Sequence, residues 1–300
     1  MDVQITMPKI YTIVFWFSII LVCVSVFALF AYGLRFGVDF KGGSVLEIEY
    51  QNVRPDQNAL DAALKGIPSL AISPAGDKGF LIKAGELSED QHQEMLAKIR
   101  GASSGSVFEE KRFDSVGPTI GSELKRKSII AIGLVLLGVI IYIAIVFRKM
   151  SRTLSPWAMG LAAIVALLHD VLIPMGVFAV LGRWLGVEIS AVFVAAALTI
   201  LGYSMSDTVV IFDRVRENIV RKGLRGDFGA VVHTSVMETL ARSLNTTFTT
   251  LLSLFAIYFF GGESIKYFAL ALIIGIFLGA YSSIFVAAPV LVWWQKRFKR

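Results

Sequence analysis

Six runs of about 20 or more residues with few or no charges fill most of this 300-residue chain, and they decide which solvent it folds in. A bilayer core of ~30 Å takes roughly 20 helical residues to cross, so each run predicts one transmembrane helix. The runs are 10–34, 128–147, 156–181, 189–212, 242–260 and 267–294. No A-x-A-like cleavage site follows the first, which reads as an uncleaved span rather than a signal peptide. The sixth, at about 28 residues, must tilt or protrude. Composition agrees: 55% of residues are hydrophobic and 17% charged, against ~25% charged in soluble domains. The single cysteine, Cys23, excludes a disulfide framework, and three histidines far apart offer little for a metal site.

Cytoplasmic loops retain Lys and Arg, so their placement sets orientation. With the N-terminus inside, the inner segments carry Lys9, then Arg148, Lys149 and Arg152, then Arg214, Arg216, Arg221, Lys222, Arg225 and Arg242, and finally Lys296, Arg297, Lys299 and Arg300. The short outer loops carry only Arg183 and Lys266. Both termini are therefore expected in the cytoplasm. Residues 1–34 hold the N-terminus and first span, residues 35–127 are translocated, and residues 128–300 hold the other five spans, a cytoplasmic loop 213–241 and a basic tail. The net charge of +6 reads as an orientation signal facing membrane lipid, with no nucleic-acid partner required.

The translocated segment is long enough for one small domain. Its patterning predicts strand 44–50, helix 56–64, strands 70–72 and 80–83, helix 88–100 opened by the capping run Ser88-Glu89-Asp90-Gln91, and strand 107–113. The order βαββαβ fits a ferredoxin-like sandwich. The expected fold class is thus a multi-pass α-helical membrane protein: six transmembrane helices, with one α+β ferredoxin-like domain between the first and second. No nucleophile with a base and no paired carboxylates stand out in that domain, which reads as a binding or docking module rather than an enzyme. Glycines cluster where it meets the spans: Gly37, Gly42 and Gly43 beside Asp39 at its start, Gly117 with Pro118 at its end. They suit either a hinge or a rigid turn that closes the domain.

Ionisable residues inside spans are the sharpest functional signal, because a charge at mid-bilayer costs at least ~2.5 kcal/mol. His169 and Asp170 lie about 20 Å into the third span from its cytoplasmic edge, and Asp207 about 9 Å into the fourth, so the two acids are not expected to be level. Asp207 shares a helical stripe with Tyr203 and Arg214, and Arg242 opens the fifth span at a similar depth. Burial and a nearby arginine pull a carboxylate's proton affinity in opposite directions, so helix movement could switch it. Static packing is the competing reading for Asp207, and an ordinary cytoplasmic helix-end cation the competing one for Arg242. A hydrogen-bonding role competes with proton handling for His169 and Asp170. Their adjacency points them about 100° apart, against a shared metal. Gly202, Gly275 and Gly279, with Ser282 and Ser283, offer surfaces for close helix packing. The stretch 213–241 mixes charged and apolar residues and suits helices lying along the cytoplasmic interface. No G-x-x-x-x-G-K-[ST] occurs, so ATP hydrolysis by this chain is not expected; no cofactor is expected, and the placement of Asp207 and Arg242 makes protons the expected coupling ion.

The segment FGVDFKGG (residues 36–43) resembles the motif that follows the first span in the SecD/SecF family, on its SecF side. The resemblance continues through VGPTIGSEL (116–124), the His169-Asp170 pair, GYSMSDTVVIFDRVREN (202–218), ARSLNTTFTTLL (241–252), FFGG (259–262) and GAYSSIFVAAPVL (279–291). Ser206 departs from it, standing where relatives more often carry Asn. The resemblance implies membership in the resistance-nodulation-division superfamily, partnership with SecD, association with SecYEG and YajC, and location in the bacterial inner membrane with residues 35–127 periplasmic. It implies that the proton-motive force drives movement of the periplasmic domain on a translocating preprotein. Asp207 and Arg242 fall on the family's acidic and arginine positions, and the glycine junctions become transmitters of motion. A proton-coupled exporter of small molecules or lipids, and a passive translocon scaffold, are the alternatives.

Overall fold

The computed structural model describes residues 7–103, 105–148, 155–222 and 227–298. Five of the cations that bear on orientation, Lys149, Arg152, Arg225, Lys299 and Arg300, lie outside the described residues. In chain order the elements are α1 (Lys9–Tyr32), α2 (Val38–Lys41), β1 (Gly43–Tyr50), α3 (Gln57–Ala63), β2 (Ala71–Ala75), β3 (Gly79–Ala84), α4 (Glu89–Ala102), β4 (Phe108–Val116), α5 (Pro118–Val146), α6 (Pro156–Leu185), α7 (Ala191–Lys222), α8 (Phe228–Phe260), α9 (Glu263–Ser282), a π-helix (Ser283–Ala287) and α10 (Ala288–Phe298). They form two compact units. One comprises Met1–Arg35, Ile130–Val187 and Val192–Arg300; the other comprises Phe36–Ile129 with Glu188–Ala191.

Among the described residues six helical segments are long and apolar enough to cross a membrane, as the runs predict. This is a multi-pass helical membrane protein carrying a small α+β domain. Within the helical unit, α6 and the α9–α10 segment are mostly enclosed, whereas α5 is almost wholly exposed along its apolar length. Small residues on α6 make the enclosure possible: Ala158, Ala162, Ala163 and Ala166 are all buried. A Cβ on Gly176 would lie 2.5 Å from Ser25 Cβ, so α1 and α6 meet backbone to backbone there. Helix α6 begins with Pro156 and ends at Gly186, whose φ of 70° makes the left-handed cap that glycine adopts without strain.

Three expectations change. The stretch 213–241 does not fold as separate helices along an interface: its described residues continue α7 to Lys222 and open α8 at Phe228. Asn218 Nδ2 donates to Ser235 Oγ at 2.9 Å and Arg214 Nε to Glu238 Oε2 at 2.6 Å, and these pairs zip the extensions into one antiparallel hairpin. The second span also starts ten residues early, at Pro118, because proline is well placed at the first position of a helix. The sixth run is interrupted by a π-helix at Ser283–Ala287.

In the α+β unit the sheet order is β2-β3-β1-β4 with every neighbouring pair antiparallel, the arrangement of a ferredoxin-like sandwich. Alternation along β1 buries Leu46, Ile48 and Tyr50, which join Phe80 and Ile82 of β3 against Leu60 of α3 and Met95, Leu96 and Ile99 of α4. The predicted capping run works in both directions: Ser88 Oγ accepts the Gln91 N–H, and Gln91 Oε1 accepts the Ser88 N–H at 2.9 Å. Burial pushes the Tyr50 hydroxyl pKa up, and its hydrogen bond with Ser103 Oγ, 2.8 Å away, works in the other direction.

Candidate functional site

Hydroxyl groups and carboxylates cluster on the facing sides of α7 and α8. Asp207 Oδ2 accepts a hydrogen bond from Ser243 Oγ of α8 at 2.8 Å. One turn before Asp207, Tyr203 OH lies 3.3 Å from Thr250 Oγ1, and two turns beyond it Arg214 meets Glu238. As numbers rise along α7 they fall along α8, the register of an antiparallel pair. The fourth and fifth spans are therefore neighbours, the condition on which Arg242 could approach Asp207. The direct partner of Asp207 is nevertheless Ser243. Among the described residues no ion pair within 4.0 Å joins Arg242 to it, and the Arg242 side chain is exposed beside the pair. Ser243 carries no signal of its own in the sequence beyond a place in ARSLNTT.

The second acid is enclosed completely. Asp170 is 0% exposed, and its Oδ2 accepts from Ser204 Oγ of α7 at 2.5 Å and from Ser282 Oγ of α9 at 2.6 Å. Its Oδ1 lies 2.8 Å from Nδ1 of His169, so the adjacent pair bonds to itself although its helical positions diverge. The His169 ring lies over Tyr281 with centroids 5.9 Å apart, and Tyr281 OH reaches Ser18 Oγ of α1 at 2.8 Å. Four helices, α1, α6, α7 and α9, thus meet around one buried polar cluster. Thr208 adds a parallel link, its Oγ1 lying 2.8 Å from Ser283 Oγ at the head of the π-helix, a local geometry often found at functional positions. Ser204 is three residues from Asp207, a rise of about 4.5 Å, so the two acids lie closer in level than counting from span ends predicts. The reason is that the helices overrun the apolar runs, which moves the edges from which depth is counted.

The packing glycines separate into two kinds. A Cβ on Gly275 would fall 2.2 Å from Ile200 Cδ1, and one on Gly279 would fall 2.9 Å from Ser204 Cβ, so α9 lies directly on α7 beside the Asp170 cluster. Gly202 does not share that role within the chain. It is exposed, and a Cβ there meets nothing within 4 Å, because it points away from α9. Ser282 and Ser283 are buried as expected but act as hydrogen-bonding groups as well as small packing residues.

At the junction of the α+β unit, Gly42 has φ of 82° and a Cβ there would lie 2.8 Å from Pro118 Cα. Gly43 has φ of 131° and meets Ala84 O at 2.8 Å in the same sense. Only glycine satisfies both the conformation and the close approach at these two positions. Gly117 packs toward Glu86, and Gly37 toward Ile189. Asp39 Oδ2 accepts the N–H of Ala191 at 2.7 Å, a contact that no local sequence signal marks. No group of three or more His, Cys, Asp or Glu side chains suited to a metal occurs among the described residues.

Comparison with known proteins meets the same regions. Residues 97–297 match the family described as protein export membrane protein SecD/SecF, C-terminal, and residues 27–52 match the SecD/SecF GG motif. The chain is 40% identical over 292 residues to the protein translocase subunit SecF of Thermobaculum terrenum, covering 93% of this chain and 90% of that one. It is 39% identical over 279 residues to the protein translocase subunit SecDF of Brucella abortus, covering 91% of this chain but 35% of the relative. Among solved structures, SecDF from Thermus thermophilus, a translocon-associated membrane protein, aligns with a TM-score of 0.80 at 32% identity, covering 99% of this chain and 40% of that one. The chain therefore spans well under half the length of these SecDF relatives.

Proposed function

This chain belongs to the SecD/SecF family of protein-export membrane proteins, and from that premise we propose that it works as the SecF-type subunit of a Sec-associated translocation machine, coupling proton movement to late translocation of a preprotein. Its partners in this reading are SecD, which the fused SecDF relatives carry in one chain, then SecYEG, YajC and the preprotein itself. It sits in the bacterial inner membrane with both termini cytoplasmic and residues 35–127 periplasmic. It is not an enzyme and needs no cofactor, with protons as the coupling ion.

One observation carries the reading: Asp207, on a membrane-spanning helix, has a serine hydroxyl as its bonded partner, with Arg242 next to that serine. A hydroxyl donates to a carboxylate and accepts from a carboxylic acid, so Ser243 serves Asp207 in both protonation states. The charge of Arg242 acts on the ionised form alone. Proton uptake therefore changes how strongly α7 and α8 are held together, and each proton returning across the membrane supplies about 2.3 kcal/mol per 100 mV. His169 and Asp170 form a second candidate for holding a proton one turn away, since Ser204 and Ser282 have the same two-way capacity.

The test replaces Asp207 with Asn in cells depleted of the native chain and follows export of a reporter protein, with membrane level and SecD co-purification measured alongside. Export should fall at least tenfold while level and partnership hold. Normal export would remove Asp207 from the mechanism and leave a scaffold role.

A further inference from the structure

The connector between α6 and α7, Glu188–Ala191, belongs to the α+β unit, and three separate bonds hold it there. Gly37 N–H donates to Ile189 O at 2.8 Å beside a parallel bridge between Phe36 and Ile189. Lys83 Nζ of β3 pairs with Glu188 Oε2 at 2.7 Å. Asp39 Oδ2 accepts the Ala191 N–H at 2.7 Å, across 152 residues of sequence. The first amides of a helix have no partner within it, so Asp39 supplies from a distant segment the acceptor that opens α7.

Asp39 lies on α2, a single turn that also abuts the start of α5. Gly42, which ends α2, lies against Pro118, and a Cβ on Gly121 would come within 3.0 Å of Phe40 C. One short turn therefore touches the first residues of two membrane helices. Asp207 follows Ala191 by 16 positions on one unbroken helix, about 24 Å along its axis.

We propose that Asp39 is a positioning residue for α7: by capping Ala191 it makes the α2 turn and the connector one piece, so that a displacement of the α+β domain is carried into the helix that bears Asp207. The role rests on the proton-coupling reading for its purpose but not for its geometry. It calls on Asp39 as a hydrogen-bond acceptor, not as a proton carrier, and Asn at this position preserves it.

The experiment compares Asp39→Ala and Asp39→Asn in the full chain with SecD, in membranes. Hydrogen exchange of the peptide covering 188–195 reads the cap, modification of Asp207 by a hydrophobic carbodiimide reads the distant carboxyl, and reporter export reads function. For Asp39→Ala we expect exchange at least tenfold faster, carbodiimide modification of Asp207 changed more than twofold and export slowed at least fivefold, with Asp39→Asn within twofold of the parent in all three. Glu188→Lys should slow export, and Lys83→Glu combined with Glu188→Lys should restore it. Unchanged exchange in Asp39→Ala overturns the cap. Faster exchange with unchanged Asp207 modification overturns the coupling to α7, and equal defects in Asn and Ala overturn the acceptor role. Failure of proton coupling itself is separate: Asp207→Asn would then export normally while the exchange effect of Asp39→Ala persisted.

Discussion

Asp170 and Asp207 are the same side chain on neighbouring membrane helices, and their surroundings differ in exposure and in the number of bonded partners. Asp170 is sealed from solvent and is bonded from three sides, by Ser204, Ser282 and His169. Asp207 is partly exposed and bonded to Ser243. A carboxylate held from three sides fixes the elements around it, because losing it takes a partner from each of three buried groups, of which Ser282 Oγ alone keeps another, Gly279 O at 3.2 Å. A carboxylate held by one bond can exchange partners at small cost. Residue type and depth mark both as candidates, and only the bonding around each carboxylate tells them apart.

The contrast can be broken at three points. Asp170→Ala strips partners from two hydroxyls and an imidazole and should destabilise the helical unit by about 3 kcal/mol or more; thermal unfolding in detergent should show it, and an unchanged midpoint would mean the cluster is no anchor. Gly279→Val should cost roughly 1–3 kcal/mol, since the added atoms collide with Ser204 and drive it off Asp170. The same change at Gly202, which faces open space, is the control, and equal losses at both sites would undo the assignment of the α7–α9 contact. Ser243→Ala should cost only about 1 kcal/mol and yet alter export more than Gly279→Val does at matched membrane level. A mild change in export with a large loss of stability would make Asp207 the anchor instead.

Much of this architecture is legible in the order of residues alone. The six spans follow from run length, and βαββαβ follows from strand alternation and the Ser88 capping run, because each is a property of neighbouring residues. Asp207 and Arg242 stand out because ionisable side chains are costly in a membrane. The serines do not. Ser204, Ser243 and Ser282 are ordinary residues in an apolar helix, where a hydroxyl can bond back to its own backbone. Nor can Glu188–Ala191, a short loop between spans, be assigned to the α+β unit from sequence, since its partners are Gly37, Asp39 and Lys83.

What the sequence determined by itself is therefore the number of crossings, the order of elements in the α+β domain and the positions of the intramembrane charges, all set by periodicity and by the cost of burying charge. What only the tertiary structure decided is pairing. Ser204 and Ser282 reach Asp170 from 34 and 112 residues away, and Asp39 reaches Ala191 from 152. Local propensities carry no information about such distances. The glycines that let α9 lie on α7, and α2 lie against Pro118, bring those groups within bonding range, and close packing then leaves each buried donor or acceptor few partners to choose from.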